Sequence, residues 1–217
     1  EITYGDWSSD VCSSDLKRLE YSLYILCLRE WNLDAFMYRY LWNPLKFLGR
    51  SLNFLSFNRA IIGFGLLLSA GTWMRLNESL VPEVIFGVLP MVFSVIGLIS
   101  VLKAFTERIH ARLAWLLVTL GHFWVVLAIS FNEHFDREEA ILYLSGVFVF
   151  GVVGWIILKR IKILEGNIDL DSFHGASWLH PKLALGFLLC SLAVAGFPIT
   201  PTFIGEDLLF SHIHEDQ

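Results

Sequence analysis

The sequence has little charge and few cysteines for its length. Only 17% of its 217 residues are charged, whereas 55% are hydrophobic and the mean hydropathy is +0.59. Soluble domains rarely carry so little charge on so much apolar surface. An unusually apolar soluble bundle is the alternative, but the 18 Phe and 8 Trp exceed what one soluble core of this length holds. The composition therefore predicts a membrane protein with the lipid bilayer as its solvent.

The signatures of several functional classes are missing. The three cysteines (Cys12, Cys27 and Cys190) form no CxxC or Cys/His spacing, so we expect neither a metal site nor a disulfide framework. The net charge is −5 and no basic patch is present, so we expect no nucleic-acid partner. No motif indicates a bound cofactor, and we expect no catalytic chemistry in this chain alone.

The first twenty residues differ from the rest. The stretch "GDWSSDVCSSDL" (Gly5 to Leu16) is polar and without periodicity, and it lacks the apolar core of a signal peptide. It resembles the translation of a sequencing adapter, so residues 1–20 are predicted to be a non-native or disordered tail, with a genuine flexible tail as the alternative. We also expect the chain to be a fragment of a longer protein, open at both ends.

Residues 21–58 mix apolar, aromatic and basic side chains. This mixture predicts an amphipathic helix that lies at the membrane interface and is broken near Pro44. A linker from a missing upstream domain is the alternative.

Five apolar runs in residues 59–217 predict a transmembrane helical domain. A helix needs about 20 apolar residues to cross a bilayer, and the first and last runs are short by that measure. The first run can extend back through Leu52 to Phe57. The five runs are Ile61–Met74, Val84–Phe105, Leu113–Phe131, Ala140–Leu158 and Leu183–Phe197. The predicted fold class is thus an all-α polytopic bundle of about five transmembrane helices.

The loops between these runs alternate in charge. One set carries eleven basic residues (Arg39, Lys46, Arg50, Arg59, Lys103, Arg108, Arg112, Lys159, Arg160, Lys162, Lys182) and the other carries two (Arg75, Arg137). Basic residues collect in cytoplasmic loops, so this alternation predicts five crossings with the eleven residues on the cytoplasmic side. A soluble bundle has no reason to sort charge in this way.

The last run contains a break followed by two acids. Pro198 and Pro201 interrupt the helix before it has crossed, and Thr200 and Pro201 suit the N-cap and first position of a second helix. Glu206 and Asp207 follow, and ionisable residues inside a bilayer indicate function. The alternative is a span that ends at Gly196, with the acids in water and a peripheral helix beyond.

The stretch "LAVAGFPITPTFIGEDLL" resembles the broken twelfth helix of the antiporter-like membrane subunits of respiratory complex I and of multi-subunit cation/proton antiporters. "DLDSFHGASWLHPKLAL" (Asp169 to Leu185) is similar to the loop that precedes that helix, and "ERIHARLAW" (Glu107 to Trp115) resembles an upstream loop-to-helix junction. The resemblance covers about Val84 to Phe210, with its specific part at Leu170 to Leu209. It implies that the second to fifth runs correspond to the family's ninth to twelfth helices.

The chain departs from this family at the ionisable positions. Glu206 stands where the family has Lys, and Asp207 matches the family's acid. The preceding helix lacks the family's His and central Lys, since Gly146 and Phe150 lie near those places. We therefore expect Asp207→Asn to abolish coupled transport if protons are relayed here, with Glu206→Gln as the control.

His122 lies near the middle of the third run, where two roles are open. It can relay protons, because a histidine changes charge between pH 5 and 8. It can equally be a neutral residue bonded to a neighbouring helix. In the first role it is the only candidate partner near mid-span for Glu206 and Asp207.

Three functions follow from this sequence. The first is a membrane subunit of a proton- or cation-translocating or energy-coupling complex, at most the translocase subunit of an NADH-quinone-oxidoreductase-like enzyme, with other membrane subunits as partners. The second is a degenerate, non-conducting scaffold that docks a partner protein. The third is a fragment of an unrelated small-molecule transporter. The family resemblance implies the bacterial inner membrane.

Overall fold

The computed structural model describes residues 13–28, 31, 33–52, 56–132 and 135–211, with the backbone alone for 13–20. Apart from turns and loops, the elements in these ranges are helical, which confirms the predicted all-α class. The α-helices are α1 (Ser13–Leu28), α2 (Leu33–Met37), α3 (Asn43–Ser51), α4 (Phe57–Leu76), α5 (Glu83–Thr106), α6 (Ala111–Ile129), α7 (Arg137–Glu165), α8 (Ala176–Leu179), α9 (Pro181–Val194) and α10 (Pro201–Ser211). A π-helical turn (Tyr38–Trp42) and a 3-10 turn (Glu78–Leu80) join two pairs of them.

The chain divides into two compact units, Glu1–Phe47 and Leu48–Gln217. In the first unit, the π-helical turn passes into α3 at Asn43, directly before Pro44, so the predicted break corresponds to a change of helix type. Most of the adapter-like stretch, Gly5 to Cys12, lies outside the described residues, and α1 begins at Ser13. The interfacial position of this unit stays a prediction.

The core of the second unit lies between α4, α5 and α6. Trp124 of α6 is fully buried, with its ring stacked on Phe93 of α5 at 5.9 Å and tilted against Phe64 of α4 at 5.6 Å. Such ring pairs add to the apolar area that each aromatic side chain buries. The three helices therefore pack around an aromatic centre.

Helix α7 is the longest helix, and its start is capped. The Asp136 side chain accepts a hydrogen bond of 2.7 Å from the Glu138 amide, and two acids occupy the first turn. The Asp136 carboxylate accepts a hydrogen bond from an amide that has no acceptor within the helix. Negative charge at this end also interacts favourably with the helix dipole. At 29 residues α7 is about 43 Å long, more than the ~30 Å of a hydrocarbon core.

Three helices, α5, α6 and α7, are long and apolar enough to cross a membrane by length and composition. The first predicted run forms α4, whose 20 residues include Asn58, Arg59 and Arg75. The last forms α9, which has only 14 residues. Each of the five runs thus forms a helix over most of its predicted length, and the number of crossings stays a prediction.

Two of the basic loops meet at one end of the second unit. The Arg108 guanidinium donates to Asp171 at 2.7 Å, and the Leu170 amide donates to the Arg108 carbonyl at 2.7 Å. At the other end, Arg75 of α4 donates to the Ser130 carbonyl after α6. The fold therefore separates the basic loops from the acidic loop between α6 and α7.

This separation gives a test of topology. Single cysteines placed at Asn132 and Asn167 in a background without native cysteines are expected to react with a membrane-impermeant maleimide from opposite sides of the membrane, because one follows α6 and the other follows α7. The measurement is labelling in right-side-out and inverted vesicles. Labelling of both from one side would contradict the five-crossing arrangement.

Candidate functional site

The break in the last run has the predicted form. Helix α9 ends at Val194, and the backbone then turns through positive φ at Gly196 (71°) and Ile199 (85°). The Thr200 hydroxyl accepts a hydrogen bond from the Phe203 amide at 3.3 Å, which is the N-cap arrangement, and Pro201 is the first residue of α10. Positive φ is rare for a β-branched residue such as Ile199, so the backbone is strained here.

Beyond the break, α10 packs along α7. A Cβ placed on Gly205 would lie 2.5 Å from the backbone nitrogen of Tyr143, and one on Gly146 would meet Thr202 and Pro201. The two helices therefore touch backbone to backbone and run antiparallel. Helix α10 lies against the first half of α7, at Tyr143 and Gly146, and α9 lies against the second half, at Ile157. The position of α10 and of its two acids relative to the membrane stays a prediction.

The same packing brings His122 to Tyr143. The His122 Nδ1 and the Tyr143 hydroxyl share a hydrogen bond of 2.6 Å, in which either group donates according to the imidazole tautomer. Tyr143 is buried and His122 is partly buried. This bond fits both roles considered for His122, a neutral residue bonded to a neighbouring helix and a member of a relay.

The two carboxylates occupy different positions. Glu206 lies against Gly196, where an added Cβ would be 2.6 Å from a carboxylate oxygen. Both Glu206 and Asp207 line an open cavity of about 430 Å³ beside the break. Both side chains are exposed within this chain. Glu206 follows Gly205, which packs on the Tyr143 backbone, and borders the buried face of α10, whereas Asp207 lies on the opposite face of the helix.

Tyr143 was not among the residues that the sequence pointed to. It directly precedes Leu144 to Trp155, a stretch without an ionisable side chain in which Gly146 and Phe150 take the places of the family's basic residues. Its position three residues before Gly146 was the available signal, because residues three apart share a helix face. Thr202 is a further polar residue between α10 and α7. Its hydroxyl is buried beside Gly146 and has no hydrogen-bond partner among the described residues.

A second ionisable cluster lies at the basic end. Lys103 is 2% exposed and donates to Glu107 at 2.7 Å, and Glu107 also pairs with His110 at 2.9 Å. Burial would raise the pKa of Glu107, but the hydrogen bonds from Lys103 and His110 outweigh it and hold that pKa below its usual value. The described residues contain no group of three or more His, Cys, Asp or Glu that could hold a metal ion.

Comparisons with known proteins give distant relatives. No family model and no solved structure matches the chain. It is 27% identical over 183 residues to NADH-quinone oxidoreductase subunit N of Buchnera aphidicola subsp. Acyrthosiphon pisum (strain APS), covering 79% of this chain and 37% of that protein. It is 26% identical over 151 residues to the subunit of the same name from Shewanella woodyi, covering 64% of this chain and 30% of that protein.

These similarities agree with the resemblance drawn from the sequence motifs. The chain spans about a third of the length of the curated relatives that it matches. At this low identity they support a likeness to an antiporter-like membrane subunit of complex I. Together with the long apolar helices, they make the chain an integral membrane protein.

Proposed function

We propose that the chain is part of a membrane subunit of a proton- or cation-translocating complex in the bacterial inner membrane, working beside other membrane subunits. The observation that carries this proposal is the broken helix α9–α10, in which Gly205, the residue before Glu206, packs on Tyr143, the hydrogen-bond partner of His122. Broken helices with ionisable groups at the break are a recurrent way of building ion sites in membranes. Irregular backbone at that depth needs protein or a water-filled cavity around it.

The proposed path runs between α6, α7 and α10. His122 and Tyr143 can exchange a proton through their hydrogen bond, and Glu206 supplies an acid at the open cavity by the break. Tyr143 is the seventh residue of α7, about 9 Å along the axis from its start, inside the predicted fourth run. The path therefore serves the half of the bundle farther from the basic loops.

The proposal is tested by removing one hydroxyl. In the full-length protein within its purified complex, Tyr143→Phe is expected to slow proton translocation about tenfold, which corresponds to about 1.4 kcal/mol, the order of one hydrogen bond. The change keeps the ring and leaves the backbone and Cβ atoms that pack against Gly205 unaltered, so assembly should not change. The measurement is quenching of a pH-sensitive dye in vesicles.

A non-conducting scaffold is the second candidate, and one observation favours it. The middle of α7 carries no ionisable group, and Phe150 cannot hold a proton. In that case Tyr143→Phe and substitutions at Glu206 leave proton translocation by the complex unchanged. Normal proton translocation by correctly assembled variant complexes would therefore support the scaffold function and contradict the translocating one.

A further inference from the structure

A cavity of about 500 Å³ opens at the basic end of the second unit. It lies where α4 and α6 begin and α7 ends, and its lining includes Phe57, Arg112, Lys162 and Asn167. This end is the one at which the basic loops meet, so in the predicted topology it lies at the level of the lipid headgroups. None of these residues belongs to the path proposed above.

The cavity has an excess of positive charge. Arg112 and Lys162 line it, and Lys159 lies one helical turn before Lys162. No carboxylate of the described residues lies within 4 Å of these three cations. Glu107, the acid in the lining, already pairs with Lys103 and His110. The cations are therefore available to an external anion.

An aromatic platform adjoins these cations. The Trp155 ring stacks on Phe57 at 6.4 Å, with the Arg112 guanidinium 5.9 Å and the Lys159 ammonium 5.7 Å from its centre. The lining also includes Ala111 and Arg112, the first two residues of α6, whose backbone amides have no acceptor within the helix. Tryptophan beside basic residues is typical of the membrane interface.

We propose that this cavity binds the phosphate of an anionic phospholipid. Arg112, Lys162 and Lys159 would hold the phosphate, because guanidinium and ammonium groups both bind phosphate oxygens and basic pockets between membrane helices take anionic headgroups. An outward apolar stripe on α7 continues from Lys159 through Ile156 to Val152, and both apolar residues are exposed in the chain. Acyl chains can lie along this stripe, which favours a lipid over a free phosphate ion or an acidic protein segment.

Native mass spectrometry of the detergent-solubilised chain with equal amounts of phosphatidylglycerol and phosphatidylcholine tests the proposal. The wild-type chain is expected to retain phosphatidylglycerol preferentially. Each of Arg112→Gln and Lys162→Gln should lower that preference about fivefold, and the double variant about 25-fold, as expected for one interfacial charge each. The charge-conserving variants Arg112→Lys and Lys162→Arg should retain it, and so should the controls Arg137→Gln, at the other end of the unit, and Arg160→Gln, elsewhere on α7.

Three outcomes would overturn the proposal. Equal retention of both lipids by the wild type, or an unchanged preference in the double variant, excludes a headgroup site here. Displacement of the lipid by millimolar inorganic phosphate identifies a site for the free ion. Loss of a partner subunit from the double variant of the full-length protein, with lipid preference intact, identifies a protein contact.

Discussion

Glu206→Gln is expected to reduce proton translocation by the assembled complex to background, while Asp207→Asn leaves a measurable rate. Glutamine keeps the shape of glutamate but cannot release a proton. Glu206 borders the face of α10 that packs on Tyr143, and Tyr143 is hydrogen-bonded to His122. Its loss therefore removes the acid of the proposed path, whereas Asp207 lines the same cavity from the face of α10 that points away from α7.

Asp207→Asn is the matched control, because it makes the same chemical change one residue away. Dye quenching in vesicles gives the rate, and the yield of intact complex shows that neither variant fails to assemble. The opposite order, with Asp207→Asn inactive and Glu206→Gln normal, would support the assignment made from sequence resemblance. Equal, normal rates in both would favour the scaffold.

Glu107→Gln is expected to destabilise the fold by about 3–5 kcal/mol. The substitution removes the carboxylate to which buried Lys103 donates, and breaking a buried pair from one side costs this much. The double variant Lys103→Met/Glu107→Leu should be close to neutral, because it replaces both charges with apolar groups of similar size. Reversible unfolding in mixed micelles measures the free energy.

An exposed ion pair serves as the comparison for this change. The Arg108 guanidinium and the Asp171 carboxylate are 2.7 Å apart, but their side chains are 53% and 57% exposed. Arg108→Gln should therefore lower the free energy of unfolding by less than about 1 kcal/mol. A Glu107→Gln cost no larger than this would show that the buried pair does not stabilise the chain.

The buried Lys103–Glu107 pair also predicts how the free energy of unfolding changes with pH. The pKa of Glu107 is lower in the folded chain than in the unfolded chain, so the folded state binds its proton less readily. Its contribution is complete above the unfolded-state pKa and is lost as the pH falls through the lowered folded-state value. In Glu107→Gln this part of the acid destabilisation should be absent.

The sequence predicted most of the helical architecture because long apolar runs and proline breaks are local signals. The last run breaks between Val194 and Pro201 as expected, and Thr200 caps the next helix. Composition also indicated the membrane environment. These features need no knowledge of which helix contacts which.

The sequence alone could not show which of the adjacent acids, Glu206 or Asp207, lies nearer to α7. Successive residues on a helix point about 100° apart, so only one of the acids can lie near a given neighbour. The buried residues Thr202, Gly205 and Leu209 define the face of α10 toward α7. Glu206 borders that face and Asp207 points almost directly away. Tyr143 was not predicted for a similar reason, since its proposed role depends on its hydrogen bond to His122, which lies 21 residues earlier in the chain.

The two half-helices differ in how firmly they are attached to α7. Helix α10 meets it backbone to backbone at Gly146 and Gly205, whereas α9 meets it through side chains such as Ile157 against Gly186. Side chains can change rotamer, but two backbones in contact cannot pass each other without separating. A bend at the turn around Gly196 would therefore displace α9 along α7 more easily than α10, and Glu206 would keep its place along α7.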